Sequence, residues 1–433
     1  MTANYDTIII GAGIIGAATA LELSKKGWRT LNLDKLPAAG YGSTGASCAI
    51  IRTHYSTLDG AAIAYEGYFY WKDWASYIGV EDERGLAVYN DTGAMVMKTE
   101  ANNYLRTICA NMDALGIPYE HWGHEQILAK LPMFDLGRFG PPKATDDPAF
   151  GQADGKIEGA VFFPCAGYVS DPQLATHNIQ RAAEAAGASF RFNSEVAEIR
   201  QADGRVAGVI LSDGTQIDSP VVVNIAGPHS FKINRLAGVE AGMNIKTRAL
   251  RQEVAHVPSP PGFDAERDGL VTSDGDIACY TRPEIGNNIL IGSEDPECEE
   301  RVWVDPDDYN KDFTDQWTSM VYRTAQRMPT LGIPSKMKGV VDLYDVSDDW
   351  IPIYDKSDLP GFYMAIGTSG NQFKNAPVAG ILMAELIEAC EGGRDHDADP
   401  VQVRGCHTER AINIGFYSRR REINEESSFS VLG

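Results

Sequence analysis

Three glycines near the start of the chain have the spacing of a phosphate-binding turn. They are Gly11, Gly13 and Gly16, in the pattern Gly-x-Gly-x-x-Gly. In such a turn the first glycine allows a tight bend, the second lets the backbone approach a pyrophosphate, and the third lets a helix pack against a strand. The free N–H groups and the positive dipole end of that helix favour phosphate. The spacing therefore indicates a site for a dinucleotide.

The elements around these glycines agree with this interpretation. The β-branched run Thr7–Ile10 predicts a buried parallel strand, the apolar spacing in residues 17–26 predicts a helix, and Thr30–Leu33 predicts a second strand. Asp34 ends that strand, 18 residues after Gly16, where a carboxylate can accept hydrogen bonds from ribose hydroxyls. The pattern by itself fits FAD and NAD equally.

Composition narrows the class of partner. Lys and Arg total 38 and Asp and Glu total 60, so the net charge of −22 argues against nucleic acid and anionic lipid. We expect a cytoplasmic protein with no membrane partner, because neither a long apolar run nor a signal peptide is evident. The 7 Cys are scattered and odd in number, which favours reduced thiols. A length of 433 residues suggests two connected domains.

Segments along the whole chain resemble the D-amino-acid oxidase (DAO) superfamily of FAD-dependent oxidoreductases. The small-residue loop at 40–47 and the following 48–55 resemble its flavin-contacting loop, and Ile-Ile-Arg followed by Tyr is similar to sarcosine oxidases and to sarcosine oxidase beta-subunit-like proteins. Later family segments match in order at 167–172, 194–199 and 221–228. The resemblance therefore spans roughly residues 5 to 390.

The last matching segment, at 361–374, favours FAD over NAD. Relatives usually close it with Ser-Gly-His-Gly-Phe-Lys, whereas Asn371 and Gln372 stand here in place of His and Gly. The helix predicted at 376–387 can support the negative charge of a reduced flavin ring. The residues that the motif and the resemblance assign to FAD are Gly11, Gly13, Ile14, Ile15, Gly16, Asp34, Lys35, Ser43, Thr44, Gly45, Ala46, Ser47, Val196, Ala226, Gly227, Gly367, Gly370, Asn371, Gln372, Phe373 and Lys374.

The fold class implied is α/β, with a Rossmann-like FAD-binding domain on a parallel sheet and an inserted α+β substrate domain on a mainly antiparallel sheet. We expect the FAD-binding domain to be discontinuous, over 1–90, 150–230 and 340–395. The substrate domain then comprises 91–149 and 231–339. Within it, β-rich runs predict strands at 248–257, 277–281 and 288–291.

The polar segment 396–433 is expected to be a C-terminal extension. It carries Arg419, Arg420 and Arg421. Because the segment is polar and follows the last helix that the resemblance covers, we interpret it as solvated or loosely docked.

Amine oxidation by a flavin needs few side chains, because the cofactor accepts the hydride at N5 and the protein supplies position and charge. A substrate carboxylate needs a cationic clamp. By the resemblance, Arg52 matches the carboxylate-binding Arg of sarcosine oxidases and Lys374 matches their second carboxylate ligand. Tyr55, Tyr280 and His256 are further candidates for the pocket. Structural roles stay open for all five, since buried Tyr and His are often plain core residues.

The resemblance implies oxidation of a secondary or N-substituted amino acid at its C–N bond, followed by hydrolysis of the imine. The expected partners are a small carboxylated amine and, as electron acceptor, O2 or an electron carrier. Oxidation of a D-amino acid or a 2-hydroxy acid, or a non-catalytic FAD-binding subunit, are the alternatives. The substrate side chain and the oligomeric state are left open.

Two departures from relatives concern the flavin. Monomeric relatives attach FAD through a Cys two residues before a Tyr, and Asp342 occupies that position before Tyr344. We therefore expect non-covalent FAD. Ala49 replaces a basic residue that precedes the Ile-Ile-Arg run in relatives. Relatives also place a Lys over the flavin to help oxygen react, and no Lys of 246–253 aligns with that position, which leaves the acceptor undecided. No metal site is expected, because His121 and His124 lack a third convergent ligand.

Overall fold

Residues 5–432 are described in the computed structural model of the chain. Their strands, in chain order, are β1 (Thr7–Ile10), β2 (Thr30–Leu33), β3 (Ile50–Ile51), β4 (Tyr89–Asn90), β5 (Ala94–Met97), β6 (Glu120–Trp122), β7 (Ala160–Phe163), β8 (Gly167–Val169), β9 (Ser189–Arg191), β10 (Val196–Ala202), β11 (Arg205–Leu211), β12 (Gln216–Asp218), β13 (Val221–Asn224), β14 (Thr247–Pro258), β15 (Val271–Asp274), β16 (Cys279–Glu284), β17 (Asn288–Ser293), β18 (Trp303–Val304), β19 (Gly339–Ser347), β20 (Ile353–Lys356), β21 (Phe362–Ile366), β22 (Gln402–Arg404) and β23 (Ala411–Asn413).

The α-helices in the same range are α1 (Ile14–Lys25), α2 (Leu58–Lys72), α3 (Trp74–Ile78), α4 (Arg106–Leu115), α5 (His124–Lys130), α6 (Pro172–Ala185), α7 (Ser230–Ala237), α8 (Ala265–Asp268), α9 (Asp315–Arg327) and α10 (Ala376–Glu391). Within residues 5–432, none of them combines the length and the apolar character needed to cross a bilayer.

The first sheet is the Rossmann-like one. In the described part of the chain it has six strands in the order β20-β21-β13-β1-β2-β9, parallel except for β20 at one edge. Strand β1 is buried on both faces, as its β-branched and apolar residues predict. Ile9 packs with α1, α6 and α10, whereas Ile8 and Ile10 pack with β10, β11 and α7. The sheet therefore lies between a helical layer and a small antiparallel layer.

The second sheet is mainly antiparallel and confirms the predicted substrate domain. Among the described residues it has nine strands, in the order β18-β14-β17-β16-β15-β5-β7-β6, with β19 also paired to β14. The strands predicted from β-rich runs correspond to β14, β16 and β17. Helix α9 packs against this sheet through Trp317, Met320 and Val321. Strand β19 leads from this sheet towards the parallel one.

Three elements lie on the other side of the predicted domain boundaries. Strands β7 and β19 fall in ranges assigned to the FAD-binding domain, but they pair with β5 and β14 of the nine-stranded sheet. Helix α7, assigned to the substrate domain, packs through Ile233 and Ala237 with β10 and β11. The reason is that pairing with strands distant in sequence decides to which sheet β7 and β19 belong, and composition does not reveal such pairing.

The C-terminal extension is anchored by buried ion pairs, and the interpretation of a loosely docked segment is wrong for residues 419–421. The Arg419 side chain is fully buried, and its guanidinium lies 3.0 Å from Asp355, 2.6 Å from Asp358 and 2.9 Å from Asp397. Arg421 pairs with Asp349 at 2.7 Å. A buried guanidinium needs such partners, because an unpaired buried charge is strongly destabilising.

Candidate active site

A cavity of about 1270 Å³ begins at the carboxyl end of β1 and continues to the nine-stranded sheet. Gly11 and Asp34 line one end, whereas Val254, Thr272 and Tyr280 line the other. Strands β2 and β13 flank β1 on opposite sides, and ligands of open parallel sheets bind where the strand order reverses in this way. The cavity exceeds the roughly 300–1,000 Å³ of ordinary small-molecule pockets, so it has room for a dinucleotide and a small second molecule.

The glycine turn is closely packed at two positions and open at the third. A Cβ atom on Gly11, whose φ is +118°, would lie 2.2 Å from the Ile225 carbonyl oxygen. One on Gly16 would lie 2.3 Å from the Gly11 carbonyl oxygen. A Cβ on Gly13 would meet only Thr44 Oγ1, at 3.1 Å. The turn therefore fits a pyrophosphate that approaches the backbone at Gly13 and the start of α1.

The Asp34 carboxylate is held at the end of β2, beside this turn. It accepts hydrogen bonds of 2.8 Å from the backbone N–H groups of Ala12 and Leu36. Burial raises the pKa of Asp34, although these hydrogen bonds favour the ionised form. Lys35 beside it pairs with Asp307 at 2.6 Å, at the rim of the cavity. Asp34 is therefore fixed in place, and its remaining lone pairs can accept from ribose hydroxyls.

The loop at 40–47 is tied to α1 and to the nine-stranded sheet. Thr44 Oγ1 accepts a hydrogen bond of 3.2 Å from the N–H of Ile14 in the first turn of α1. Ser43 Oγ donates at 2.8 Å to the carbonyl of Leu343 in β19. The loop therefore forms a cavity wall between two ends. We call the end at Gly11 and Asp34 the phosphate end, and the end at Val254, Thr272 and Tyr280 the substrate end.

Most residues assigned to the cofactor from the sequence line this cavity. They are Gly11, Gly13, Ile14, Ile15, Gly16, Asp34, Lys35, Ser43, Thr44, Ala46, Ser47, Val196, Ala226, Gly227, Gly370, Asn371, Gln372, Phe373 and Lys374. Gly45 and Gly367 do not. A Cβ on Gly45 would lie 2.6 Å from Gln173 Nε2 of α6, and one on Gly367 would lie 2.9 Å from the Ser347 Cβ. These two glycines serve close packing behind the wall.

Asn371 and Gln372, which depart from the family pattern, form a buried network at the start of α10. Gln372 Nε2 donates to Asn371 Oδ1 at 2.5 Å, and Gln372 Oε1 accepts from Tyr354 Oη at 2.9 Å and Asn375 Nδ2 at 2.7 Å. These bonds fix the turn that carries Lys374. The substitution therefore keeps an ordered wall at this end of the cavity.

Lys374 is a buried cation with only neutral partners. Its ammonium donates at 2.8 Å to Tyr55 Oη and at 2.6 Å to the Asn371 carbonyl. Tyr55 Oη donates to that same carbonyl at 2.9 Å. Burial lowers the pKa of Lys374 well below its ordinary value, and the nearby Arg52 charge lowers it further, so Lys374 is a cation only below that depressed pKa.

Arg52 is the second buried cation, and its partners are also neutral. Its Nη1 donates to the His54 carbonyl at 2.5 Å, and its Nη2 donates to the carbonyls of Val431, at 3.0 Å, and Leu432. The guanidinium carbon lies 4.2 Å from the centre of the Tyr55 ring, a cation–π contact. The fold thus brings together Arg52 and Lys374, which both contact Tyr55 although they are 322 positions apart in the sequence.

The electrostatic potential around Arg52 and Lys374 is positive. Within residues 5–432, other buried arginines pair with carboxylates, but neither Arg52 nor Lys374 does. His54 is neutral, because burial and then both cations lower its pKa well below its ordinary value. Burial raises the pKa of Glu294 to about 8, while Ser273 Oγ donates to it at 2.6 Å. The arrangement favours an anionic ligand.

Tyr280 lines the cavity, whereas His256 does not. Tyr280 Oη lies 3.4 Å from Tyr344 Oη and 3.6 Å from Cys48 Sγ. His256 follows Val254 on the same face of β14 by the alternation of a strand, but it lies beyond the cavity wall. The fold therefore does not bring His256 to the cavity.

Four residues of the substrate end were not singled out from the sequence. Gln252, Ser273 and Tyr344 line the cavity, and Glu294 is hydrogen-bonded to Ser273. The register that pairs Ser273 with Tyr280 could have indicated Ser273, had the strand pairing been known. Glu294 gave no signal, because an acidic residue after a strand is usually exposed.

Within residues 5–432, one group of metal-ligand side chains converges, and it lies away from the cavity. Ligand atoms of Asp82, Glu83 and His177 lie within 4.8 Å of one another. Asp82 already accepts from His177 Nδ1 and Asn178 Nδ2, both at 2.7 Å, and Glu83 pairs with Arg181 at 2.6 Å. These mutual contacts account for the group as a clamp between α6 and the segment after α3.

Known proteins resemble this chain over most of its length. A family model described as FAD dependent oxidoreductase, DAO, matches residues 6–386. The beta subunit of sarcosine oxidase from Rhodobacter capsulatus is 26% identical over 397 residues, 89% of this chain and 85% of that protein. The structure of L-proline dehydrogenase from P. horikoshii has a TM-score of 0.75 at 18% identity, over 97% of this chain and 98% of that one. The structure of glycine oxidase from Geobacillus kaustophilus has a TM-score of 0.72 at 19% identity, over 97% of this chain and 100% of that one.

We expect Gly13→Ala to weaken FAD binding without weakening the fold. Its backbone angle of φ −69° suits alanine, and the added Cβ meets only Thr44 Oγ1 in the protein. The methyl group would instead occupy the approach of the pyrophosphate, so the Kd for FAD should rise about tenfold or more. The measurement is a titration of the FAD-free protein with FAD, in which quenching of the flavin fluorescence reports binding.

The matched control is Gly332→Ala. Gly332 lies outside the cavity lining, and a Cβ there would meet no protein atom within 4 Å. Both variants should melt within a few degrees of the FAD-free wild type, and only Gly13→Ala should lose affinity. Equal FAD affinities for all three proteins would show that the turn does not hold the pyrophosphate.

Proposed function

The chain belongs to the FAD dependent oxidoreductase (DAO) family, and on that premise we propose that it oxidises a secondary or N-substituted amino acid at its C–N bond. The observation that carries this proposal is the pair of buried cations, Arg52 and Lys374, without a carboxylate partner among the described residues. A substrate carboxylate supplies the missing negative charge. Guanidinium and ammonium groups around a carboxylate form strong charge-assisted hydrogen bonds.

The names of relatives support an amino acid as the substrate class. They specify sarcosine, glycine and L-proline for those proteins. All three molecules carry a carboxylate next to an amine-bearing carbon, and two of them are secondary amines. A small apolar wall that includes Ala94, Val96 and Val271 lines the cavity and suits a small N-substituent. Val96 packs in one cluster with Tyr55, the ring that both cations contact.

The reaction needs position more than side-chain chemistry. FAD held by the glycine turn at 11–16, Asp34 and the loop at 40–47 would supply the acceptor for a hydride from the carbon next to nitrogen. As the nitrogen lone pair forms the C=N bond, the carboxylate held by Arg52 and Lys374 fixes that carbon in place. Water then adds to the C=N carbon, the C–N bond breaks, and an aldehyde or oxo acid leaves with a shorter amine. The predicted acceptor of the electrons is O2 or an electron carrier.

We expect the FAD to be non-covalent. Cys48 lines the cavity and is buried, and burial raises its pKa, so it is a poor nucleophile. Asp342 stands two residues before Tyr344, and its carboxylate accepts from the Leu343 N–H at 2.7 Å. Acid precipitation should therefore leave the flavin in the supernatant. Flavin that stays with the pelleted protein would contradict the prediction.

A panel of amines tests the substrate class. N-alkyl amino acids should reduce the flavin of the anaerobic holoenzyme, seen as loss of its visible absorbance. Arg52→Gln should keep FAD and raise the apparent Kd for these substrates about 10- to 100-fold, since a hydrogen bond to a charged group contributes about 1.5–3 kcal/mol. Reduction by D-amino acids or 2-hydroxy acids alone would replace the assignment.

The control for Arg52 is Arg282→Gln. Arg282 is also buried and stacks on a tyrosine, 4.7 Å from the Tyr168 ring centre, but it pairs with Glu284 outside the cavity. Its replacement should leave substrate affinity unchanged. A holoenzyme that no amine and no hydroxy acid reduces would favour the alternative of a non-catalytic FAD-binding subunit.

Carboxylate binding should weaken as the pH rises. Because the pKa of Lys374 is depressed, the amine loses its proton at a pH below its ordinary range, and the carboxylate then finds one cation fewer. Above that pKa the apparent affinity for acetate should fall by up to about tenfold per pH unit, because binding must take up a proton. Lys374→Met should bind acetate more weakly and lose this dependence.

Glu294 titrates in the same direction and provides the control. Its pKa of about 8 means that it becomes anionic near Arg52 at higher pH and then repels a carboxylate. Glu294→Gln should keep the dependence that comes from Lys374. If Glu294→Gln abolishes the pH dependence and Lys374→Met retains it, Lys374 is not the titrating group.

A further inference from the structure

The chain beyond Arg421 returns to the cavity. Arg421 is paired with Asp349, and the N–H of Asn424 donates to that carboxylate at 3.4 Å. From there the chain continues until Val431 and Leu432 line the cavity at its substrate end. We call residues 424–432 the closing segment.

The closing segment is held by few contacts. The Phe429 carbonyl accepts a hydrogen bond of 2.8 Å from Arg301 Nη2, and the Arg301 guanidinium lies 4.9 Å from the Trp350 ring centre. Val431 is packed in a small apolar cluster with Cys48, Val254 and Tyr280. The segment carries no helix or strand. Beyond Asn424 it is therefore tied by three side-chain hydrogen bonds, one from Arg301 and two from Arg52, and by the apolar contacts of Phe429, Val431 and Leu432 in this cluster.

The closing segment covers the substrate clamp. Arg52 borders a cavity of about 1270 Å³, yet only 7% of its surface is exposed, because the Val431 and Leu432 carbonyls lie against its guanidinium. A carboxylate that binds Arg52 in a bidentate manner needs the Nη2 donor that these carbonyls occupy. The two arrangements exclude each other at this donor.

We propose that the closing segment is a gate, whose displacement from Arg52 is required before a substrate carboxylate can bind. This inference rests on the proposed function, because it assumes that Arg52 receives the carboxylate. The segment competes with the ligand, so the apparent Kd is the intrinsic Kd divided by the fraction of molecules in which the segment has moved away. Any change that loosens the segment tightens carboxylate binding.

Acetate binding to the holoenzyme tests the gate without turnover. Acetate has the carboxylate and no amine, and its binding is followed by the change in the visible absorbance of the flavin. Arg301→Gln removes the hydrogen bond to the Phe429 carbonyl and should tighten acetate binding about three- to tenfold. A chain that ends at Glu422 keeps the Arg419 and Arg421 anchors and should bind acetate at least as tightly as Arg301→Gln.

The matched control is Arg106→Gln. Arg106 also stacks on an aromatic ring, 5.6 Å from the Tyr104 ring centre, and donates a hydrogen bond to Asn103, outside the cavity lining. Its acetate affinity should equal that of the wild type. The gate is overturned if the shortened chain or Arg301→Gln binds acetate with unchanged or weaker affinity, since the segment would then be a fixed wall.

Proteolysis reports the displacement directly. Chymotrypsin cuts after exposed aromatic residues, and Phe429 is partly buried in the closed arrangement. Saturating acetate should accelerate cleavage after Phe429, as measured by the intact mass of the protein. Slower or unchanged cleavage would contradict the gate.

These outcomes separate the gate from the proposed function. If no amine reduces the flavin but acetate binds more tightly to Arg301→Gln, the gate stands and the amine assignment falls. If amines reduce the flavin and acetate affinity is equal in the wild type, Arg301→Gln and the shortened chain, the assignment stands and the gate falls.

Discussion

The burial of Arg52 and Lys374 side by side, with neutral partners only, is the constraint on which the substrate end of this protein depends. Removing two cations from water costs several kcal/mol each unless hydrogen bonds and opposite charge compensate. Here Tyr55 serves both, as a π-face for the guanidinium and a hydroxyl acceptor for the ammonium. Because the two charges also disfavour protonation of His54, the whole compartment attracts anions.

The fold creates this compartment by bringing two sheets together around a nucleotide site. Gly11 and Gly16 let β1, α1 and β13 approach so closely that added Cβ atoms would overlap backbone oxygens. This approach directs the start of α1 at the phosphate end of the cavity. At the other end, the network of Gln372 and Asn375 fixes the turn before α10, and that turn carries Lys374. The two ends are therefore positioned by different elements of one domain.

Local patterns predicted the nucleotide end well, because its turn, strand and helix are contiguous in sequence. The substrate end is assembled from distant strands, so its details could not be read in the same way. His256 shows the difference: strand alternation puts it on the face of Val254, but a rise of about 3.4 Å per residue takes it beyond the cavity. The burial of Arg419 was equally hidden, because its acidic partners lie in two separate segments. The family resemblance supplied Arg52 and Lys374, whereas the sequence offered no sign that Leu432 covers Arg52.

The groups that cover Arg52 are neutral backbone carbonyls, and their neutrality matters for ligand binding. Backbone carbonyls satisfy the guanidinium donors, which would otherwise be buried and unpaired, but they carry no net charge. A carboxylate in the same place would satisfy the donors and also neutralise the cation, which would leave the compartment without attraction for a ligand. Neutral caps therefore stabilise the protein in the absence of substrate while preserving the positive field. An arriving carboxylate gains that electrostatic interaction in addition to the hydrogen bonds it replaces, and this difference is the driving force by which it can displace the closing segment.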